Sequence, residues 1–211
     1  MRHSRRPAAA GAMAALALAL GACASSVTAP APGAGAADPV APAAAVAELS
    51  DLYGADCAGV LTTGTAGRPI TDVLADSPAL STVAAAVGSV PALVTTLRTE
   101  DSVTVFAPGD AAFAALRASM GGAEYAALLA DRDRLDGLLS HHITGKRYDA
   151  GQLVAAGKSS QLAYGDVTVG GEPATLTLTG TGGTTARVLC GNVPTATGML
   201  FVIDTVLVPA V

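Results

Sequence analysis

The hydrophobic period of this chain changes at His142, and that change limits the folds open to it. Ahead of it, apolar residues recur at helical spacing. Residues 77–87 carry Leu80, Val83, Ala84 and Val87 on one stripe, with Ser77 placed to cap the helix and Pro78 suited to its first turn. Residues 91–97 predict another short helix. Asp110 is placed to cap a helix over 111–120 with Phe113 and Leu116 on one face, and 124–130 and 132–139 predict two more. Among these helices, residues 102–107 alternate and are rich in Val and Phe, a strand stopped by Pro108-Gly109-Asp110. Behind His142 come short runs at 161–164, 167–169, 175–179, 186–189 and 200–203, separated by turns such as Gly170-Gly171 and Gly182-Gly183. Helices in front and strands behind predict an α+β domain with a mainly antiparallel sheet. No repeat of 20 to 50 residues is visible, which excludes a solenoid.

The core such a domain can build is modest. Half of the chain is apolar, but much of that half is Ala, and there are three Phe, four Tyr and no Trp, so each core position buries little area. A covalent staple suits a core of this kind.

Arg2, Arg5 and Arg6 precede an apolar run from Ala8 to Leu20, too short for a comfortable permanent span and typical of a signal peptide. The run ends in Leu20-Gly21-Ala22-Cys23, which resembles the bacterial lipobox, so cleavage is expected before a lipid-modified Cys23. The alternative is an ordinary secretory signal with a cysteine near its cut site. Residues 24–47 are Ala, Pro, Gly and Ser with Pro30, Pro32, Pro39 and Pro42, a tether that lifts the downstream domain away from the bilayer. The expected organisation is a signal peptide over 1–22, a lipidated tether over 23–47 and one domain with an N-terminal arm over 48–211.

With Cys23 lipidated, Cys57 and Cys190 remain as an even pair in an oxidising compartment, read as a disulfide against the alternative of two unpaired buried thiols. Neither has a Cys or His neighbour at metal-ligand spacing. Loss of the three signal arginines takes the formal charge from −5 to −8 without leaving a basic cluster. Nucleic acid is therefore excluded as a partner, and membrane attachment falls to the N-terminal lipid.

Three segments together resemble the fasciclin (FAS1) domain. Thr104-Val105-Phe106-Ala107-Pro108-Gly109-Asp110-Ala111-Ala112-Phe113 is similar to the first family signature, where a strand enters a helix. Phe201-Val202-Ile203-Asp204-Thr205-Val206-Leu207-Val208-Pro209 is similar to the second, and Leu138-Leu139-Ser140-His141-His142-Ile143 to the central segment, with His141 where Tyr is usual. The resemblance implies N-terminal helices packed on a mainly antiparallel β-sandwich or wedge. It also implies structural roles for Phe106, Pro108, Asp110, His142 and Asp204, with His142 a buried, hydrogen-bonded imidazole. The Gly54-x-x-Cys57 approach and Leu189-Cys190-Gly191 resemble the mycobacterial surface and secreted members, whose equivalent pair is bridged. The order Ile203-Asp204 does not match the integrin-linked order of animal members, so no receptor motif is carried over.

Chemistry is weakly represented. On a helix or a strand His141 and His142 point apart, so one metal ion rarely takes both. Asp131-Arg132-Asp133-Arg134-Leu135-Asp136-Gly137 fails the calcium-loop template, because Leu135 sits at a ligand position and Gly137 comes one place late; a solvated helix start is expected instead. No nucleophile elbow, zinc-protease helix or phosphate loop is present. The expectation is a non-catalytic, cofactor-free and metal-free lipoprotein on the outer face of the cytoplasmic membrane, partly shed or not, that acts in adhesion or protein or glycan recognition at the envelope or host matrix. The alternatives are a carrier of a small apolar ligand, a lipid or pigment, and, less favoured, a hydrolase.

Overall fold

The computed structural model describes residues 52–54, 57–60 and 64–210. The signal segment, Cys23 and the tether lie outside the described residues. The helical half comprises α1 (Cys57–Val60), α2 (Ile70–Asp76), a 3-10 turn (Pro78–Leu80), α3 (Ser81–Gly88), α4 (Pro91–Thr99), α5 (Asp110–Met120), α6 (Gly122–Ala130) and α7 (Arg132–Ser140). Strand β1 (Val103–Pro108) interrupts it after α4. The second half holds β2 (Ile143–Thr144), α8 (Ala150–Ala156), β3 (Lys158–Ser160), β4 (Asp166–Gly170), β5 (Thr177–Thr179), β6 (Thr185–Pro194) and β7 (Gly198–Ile203).

The strands form one seven-stranded sheet in the order β2-β1-β7-β6-β5-β4-β3, antiparallel at every pairing except β1 with β7. This is the α+β arrangement of helices on a mainly antiparallel wedge. Two cores flank it. Val103, Val105 and Ala107 of β1 and Leu200 and Val202 of β7 face the helices, where they meet Leu74, Leu97, Leu135 and Leu139. Phe106, Phe201 and Ile203 face the opposite way, onto Leu153, Val167, Leu176 and Leu178. All six residues of β1 are buried, as expected for a strand in a parallel pair covered on both faces.

Strand β6 joins the halves. Its first residues pair with β5 and its later ones with β7, and the register shifts between Val188 and Cys190 and again between Cys190 and Val193. Such bulges bend and twist a strand. Asn192, at φ 56°, sits in the second and sends its side-chain oxygen to accept from the Ala150 N–H at 2.8 Å, at the start of α8.

Several local expectations are corrected. Helix α8 lies in the region read as strands only; a full capping box, with Asp149 accepting from the Gln152 N–H, opens it and Gly157 at φ 67° closes it. Residues 161–164 form a turn, and the strand lies just before them as β3. Ser77 caps nothing through its side chain, because its Oγ donates back to the Val73 carbonyl at 2.9 Å. Asp110 is the first residue of α5 and does not cap it. Its carboxylate crosses to the start of α3, accepting from the Thr82 N–H at 2.8 Å and the Ser81 hydroxyl at 2.7 Å.

Candidate functional site

The three segments that carry the family resemblance lie side by side. Strand β1 and strand β7, far apart in sequence, run parallel in register from Val103 opposite Gly198 to Pro108 opposite Ile203. On the other side of β1, the Phe106 N–H donates to the His142 carbonyl at 2.9 Å. Phe106 and Phe201 are fully buried with ring centroids 5.7 Å apart. Pro108 ends β1, and the following Gly109 N–H donates to the Ile203 carbonyl at 3.0 Å, which ties the strand-to-helix turn to β7.

His142 closes this assembly. Its ring is 3% exposed; Nδ1–H donates to the Leu138 carbonyl at 2.7 Å and Nε2 accepts from the Leu207 N–H at 2.9 Å. Both ring nitrogens are therefore used, and the network requires the neutral tautomer. Burial pushes its pKa down to about 4, against the partial support of the Leu138 carbonyl. The second segment after β7 is thereby clipped to the end of α7.

His141 points elsewhere. The two rings are 6.3 Å apart at 84°, so they do not converge on one ion. The buried His141 ring donates from Nδ1 to the Ala163 carbonyl at 3.1 Å, while Nε2 has no partner among the described residues. Among the described residues no group of three or more His, Cys, Asp or Glu is placed to hold a metal ion.

The two acidic signature residues act as clamps. Asp204 accepts from the Arg187 N–H at 2.8 Å and Nε–H at 2.9 Å and from the Thr205 hydroxyl. Burial raises its carboxyl pKa, but these bonds outweigh that and hold it below the usual carboxylate range. Asp110 behaves in the same way: partial burial is outweighed by the bonds from Thr82 and Ser81. Asp131 caps α7 by accepting from the Asp133 and Arg134 N–H groups, so the stretch resembling a calcium loop is a helix start.

The N-terminal arm is stapled to β6. Cys57 and Cys190 are disulfide-bonded with Cα atoms 4.9 Å apart across 133 residues of chain. Beside the bond, Tyr53 and Gly191 exchange both backbone hydrogen bonds, at 3.3 and 2.9 Å. The glycines near the cysteines have a physical reason. A Cβ on Gly54, which holds φ 112°, would strike the Leu189 carbonyl, and one on Gly191 would enter the Tyr53 ring. Burial pushes the Tyr53 phenol well above its ordinary pKa. Sequence reasoning misses both Tyr53 and Asn192; the Tyr53-Gly54 pair ahead of Cys57 is the available sign of the first, and the second has no local signature.

The arrangement defines an α+β wedge domain whose signature residues lock strands and helix ends together. The chain belongs to the fasciclin domain family: the family model described as Fasciclin domain matches residues 78–209. It is similar to the cell surface glycolipoproteins MPB83 of Mycobacterium bovis and MPT83 of Mycobacterium tuberculosis, each 32% identical over 186 residues, 82% of this chain and 79% of theirs. Protein sll1483 of Synechocystis is 33% identical over 140 residues, 66% of this chain and 73% of that one. Among solved structures, a FAS1 domain pair from the insect cell adhesion molecule fasciclin I matches with a TM-score of 0.50 and 20% identity. That match covers 61% of this chain and 45% of that chain, and it shows the fold. The relatives named cell surface glycolipoproteins support an exported, cell-envelope location.

Proposed function

We infer that this protein is a recognition module held at the outer face of the cell membrane by lipid on Cys23, with residues 23–47 as tether and 48–211 as the domain that makes the contacts. The observation that carries this reading is the similarity to cell surface glycolipoproteins along 82% of the chain, with the lipobox-like Leu20-Gly21-Ala22-Cys23 at the expected place. The name of the fasciclin I neighbour, an insect cell adhesion molecule, supports contact between surfaces as the kind of work done. A non-catalytic role is supported by the use of His142, whose two nitrogens are spent on Leu138 and Leu207. Its partner is a protein or glycan of the envelope or host matrix.

Crosslinking on intact cells followed by mass spectrometry tests the reading. A reproducible envelope or matrix partner joined through surface residues of 48–211 is expected. Crosslinks confined to abundant neighbours, at the same frequency for an unrelated lipoprotein, would contradict it.

A further inference from the structure

A half-open groove of about 140 Å³ lies between α5, α6, α7, the turn after β3 and the C-terminal segment. Leu116 and Met120, Leu128, Leu138, Val208 and Tyr164 form its walls, and the charged side chain at its edge is Arg134. Two locally unfavourable residues converge on one wall. Tyr164 holds φ 60°, a left-handed conformation that bulky residues adopt at a cost, and stays 41% exposed. Beneath it, α7 carries Gly137 in mid-helix, a weak helix former; a Cβ there would come 2.6 Å from the Tyr164 hydroxyl. The neighbouring Leu162 is also exposed, as is Val208 within the wall. His141 fixes the turn by its bond to Ala163, the residue before Tyr164.

Size selects the occupant. A cavity of about 150 Å³ takes one benzene-sized group, whereas sites that enclose a lipid or pigment run to about 300–1,000 Å³. A single ring at the centre of an exposed apolar rim is the geometry of an aromatic anchor in a protein contact. The chain does not supply that ring itself. Residues 1–51 contain no Phe, Tyr or Trp, and Tyr164, the exposed aromatic, already forms the wall. Charge selects the neighbour of the ring. Arg134 is paired with Glu124 through Nη2 at 2.9 Å and is half exposed, so its other guanidinium N–H groups can take a partner carboxylate without displacing Glu124.

We propose that this groove is the point at which the domain seats one aromatic side chain of a partner protein, with an adjacent acidic residue of that partner on Arg134. The proposal rests on the recognition reading and gives it an address.

The probe is the peptide acetyl-Gly-Phe-Glu-Gly-amide, titrated into the exported Cys23→Ser chain, which carries no lipid, in detergent-free buffer while methyl resonances of Met120, Leu128 and Leu138 are followed by NMR. Saturable shifts of these methyls are expected. Replacing Phe in the peptide by Ala weakens binding about tenfold or more, and replacing Glu by Gln weakens it about twofold to fivefold. The exposed variant Arg134→Gln should lose only the preference for Glu, and Tyr164→Ala should lose ring binding, with distant methyls unchanged in both. Equal shifts with the Phe and Ala peptides, or none with either, would overturn the proposal. So would tighter binding of octanoate than of the peptide, which would make the groove a lipid-tail site, or self-association abolished by Tyr164→Ala, which would make the occupant a second copy. Failure of the chain to find any envelope partner, with the peptide result intact, would instead sink the recognition reading.

Discussion

At the scale of single residues, the family signatures prove to be fastenings. His142 holds the segment after β7 to the end of α7 as a neutral ring, with its pKa near 4 because burial disfavours the charge. In the unfolded chain the same group titrates near 6.5, so below that pH the unfolded state takes up a proton that the folded state refuses. The stabilisation is full above about pH 6.5 and is lost progressively as pH falls towards 4, by roughly 3 kcal/mol. Urea midpoints measured at pH 7 and pH 4.5 should show this slope in the native chain and lack His142's share of it in His142→Gln. Asp110→Ala removes the acceptor for the start of α3 and should lower stability by about 1 kcal/mol in a thermal melt, with Asp110→Asn close to native. The buried role of His142 was legible through the resemblance. The target of Asp110 was not, because a cap supplied from another helix leaves no mark in the local order of residues.

At the scale of elements, α4 to α7 were legible because apolar residues recur at helical spacing through them, whereas α2 (Ile70–Asp76) went unread and the single helix expected over 77–87 divides into a 3-10 turn and α3. The strand half was harder. Strands of two or three residues, such as β2, β3 and β5, are too short to display an alternation. Helix α8 hid within seven residues although Asp149, Gln152 and Gly157 marked both its ends. The arm depends most on covalent chemistry: Cys57 fixes a four-residue helix to β6 across a closed loop of 133 residues. Replacing both cysteines by Ser should cost about 2–5 kcal/mol in chemical denaturation, against an upper figure of about 5 kcal/mol from loop entropy. Non-reducing peptide mapping of exported protein should return one Cys57–Cys190 linked pair; two thiols free to alkylate would contradict the staple.

At the scale of the whole molecule, the proposed function makes position and contact separate properties of separate segments. Cys23→Ser should release the chain from membranes into medium or wash with its domain still folded, read by fractionation and circular dichroism; retention in the detergent phase would refute the lipid anchor. Two or more acyl chains hold a protein firmly where one does not, so the loss should be nearly complete. Contact at the surface is expected to be modest per molecule, since the chain has few aromatic residues to bury, and to gain strength from many copies on one membrane. The most direct measurement immobilises the full chain at high density and records capture of envelope fractions and host matrix proteins by surface plasmon resonance, with heat-unfolded chain as control. Saturable capture by the folded chain, absent from the control and weakened by Tyr164→Ala, is the predicted result. No capture above the control, together with turnover of a substrate or retention of a stoichiometric apolar ligand, would contradict it.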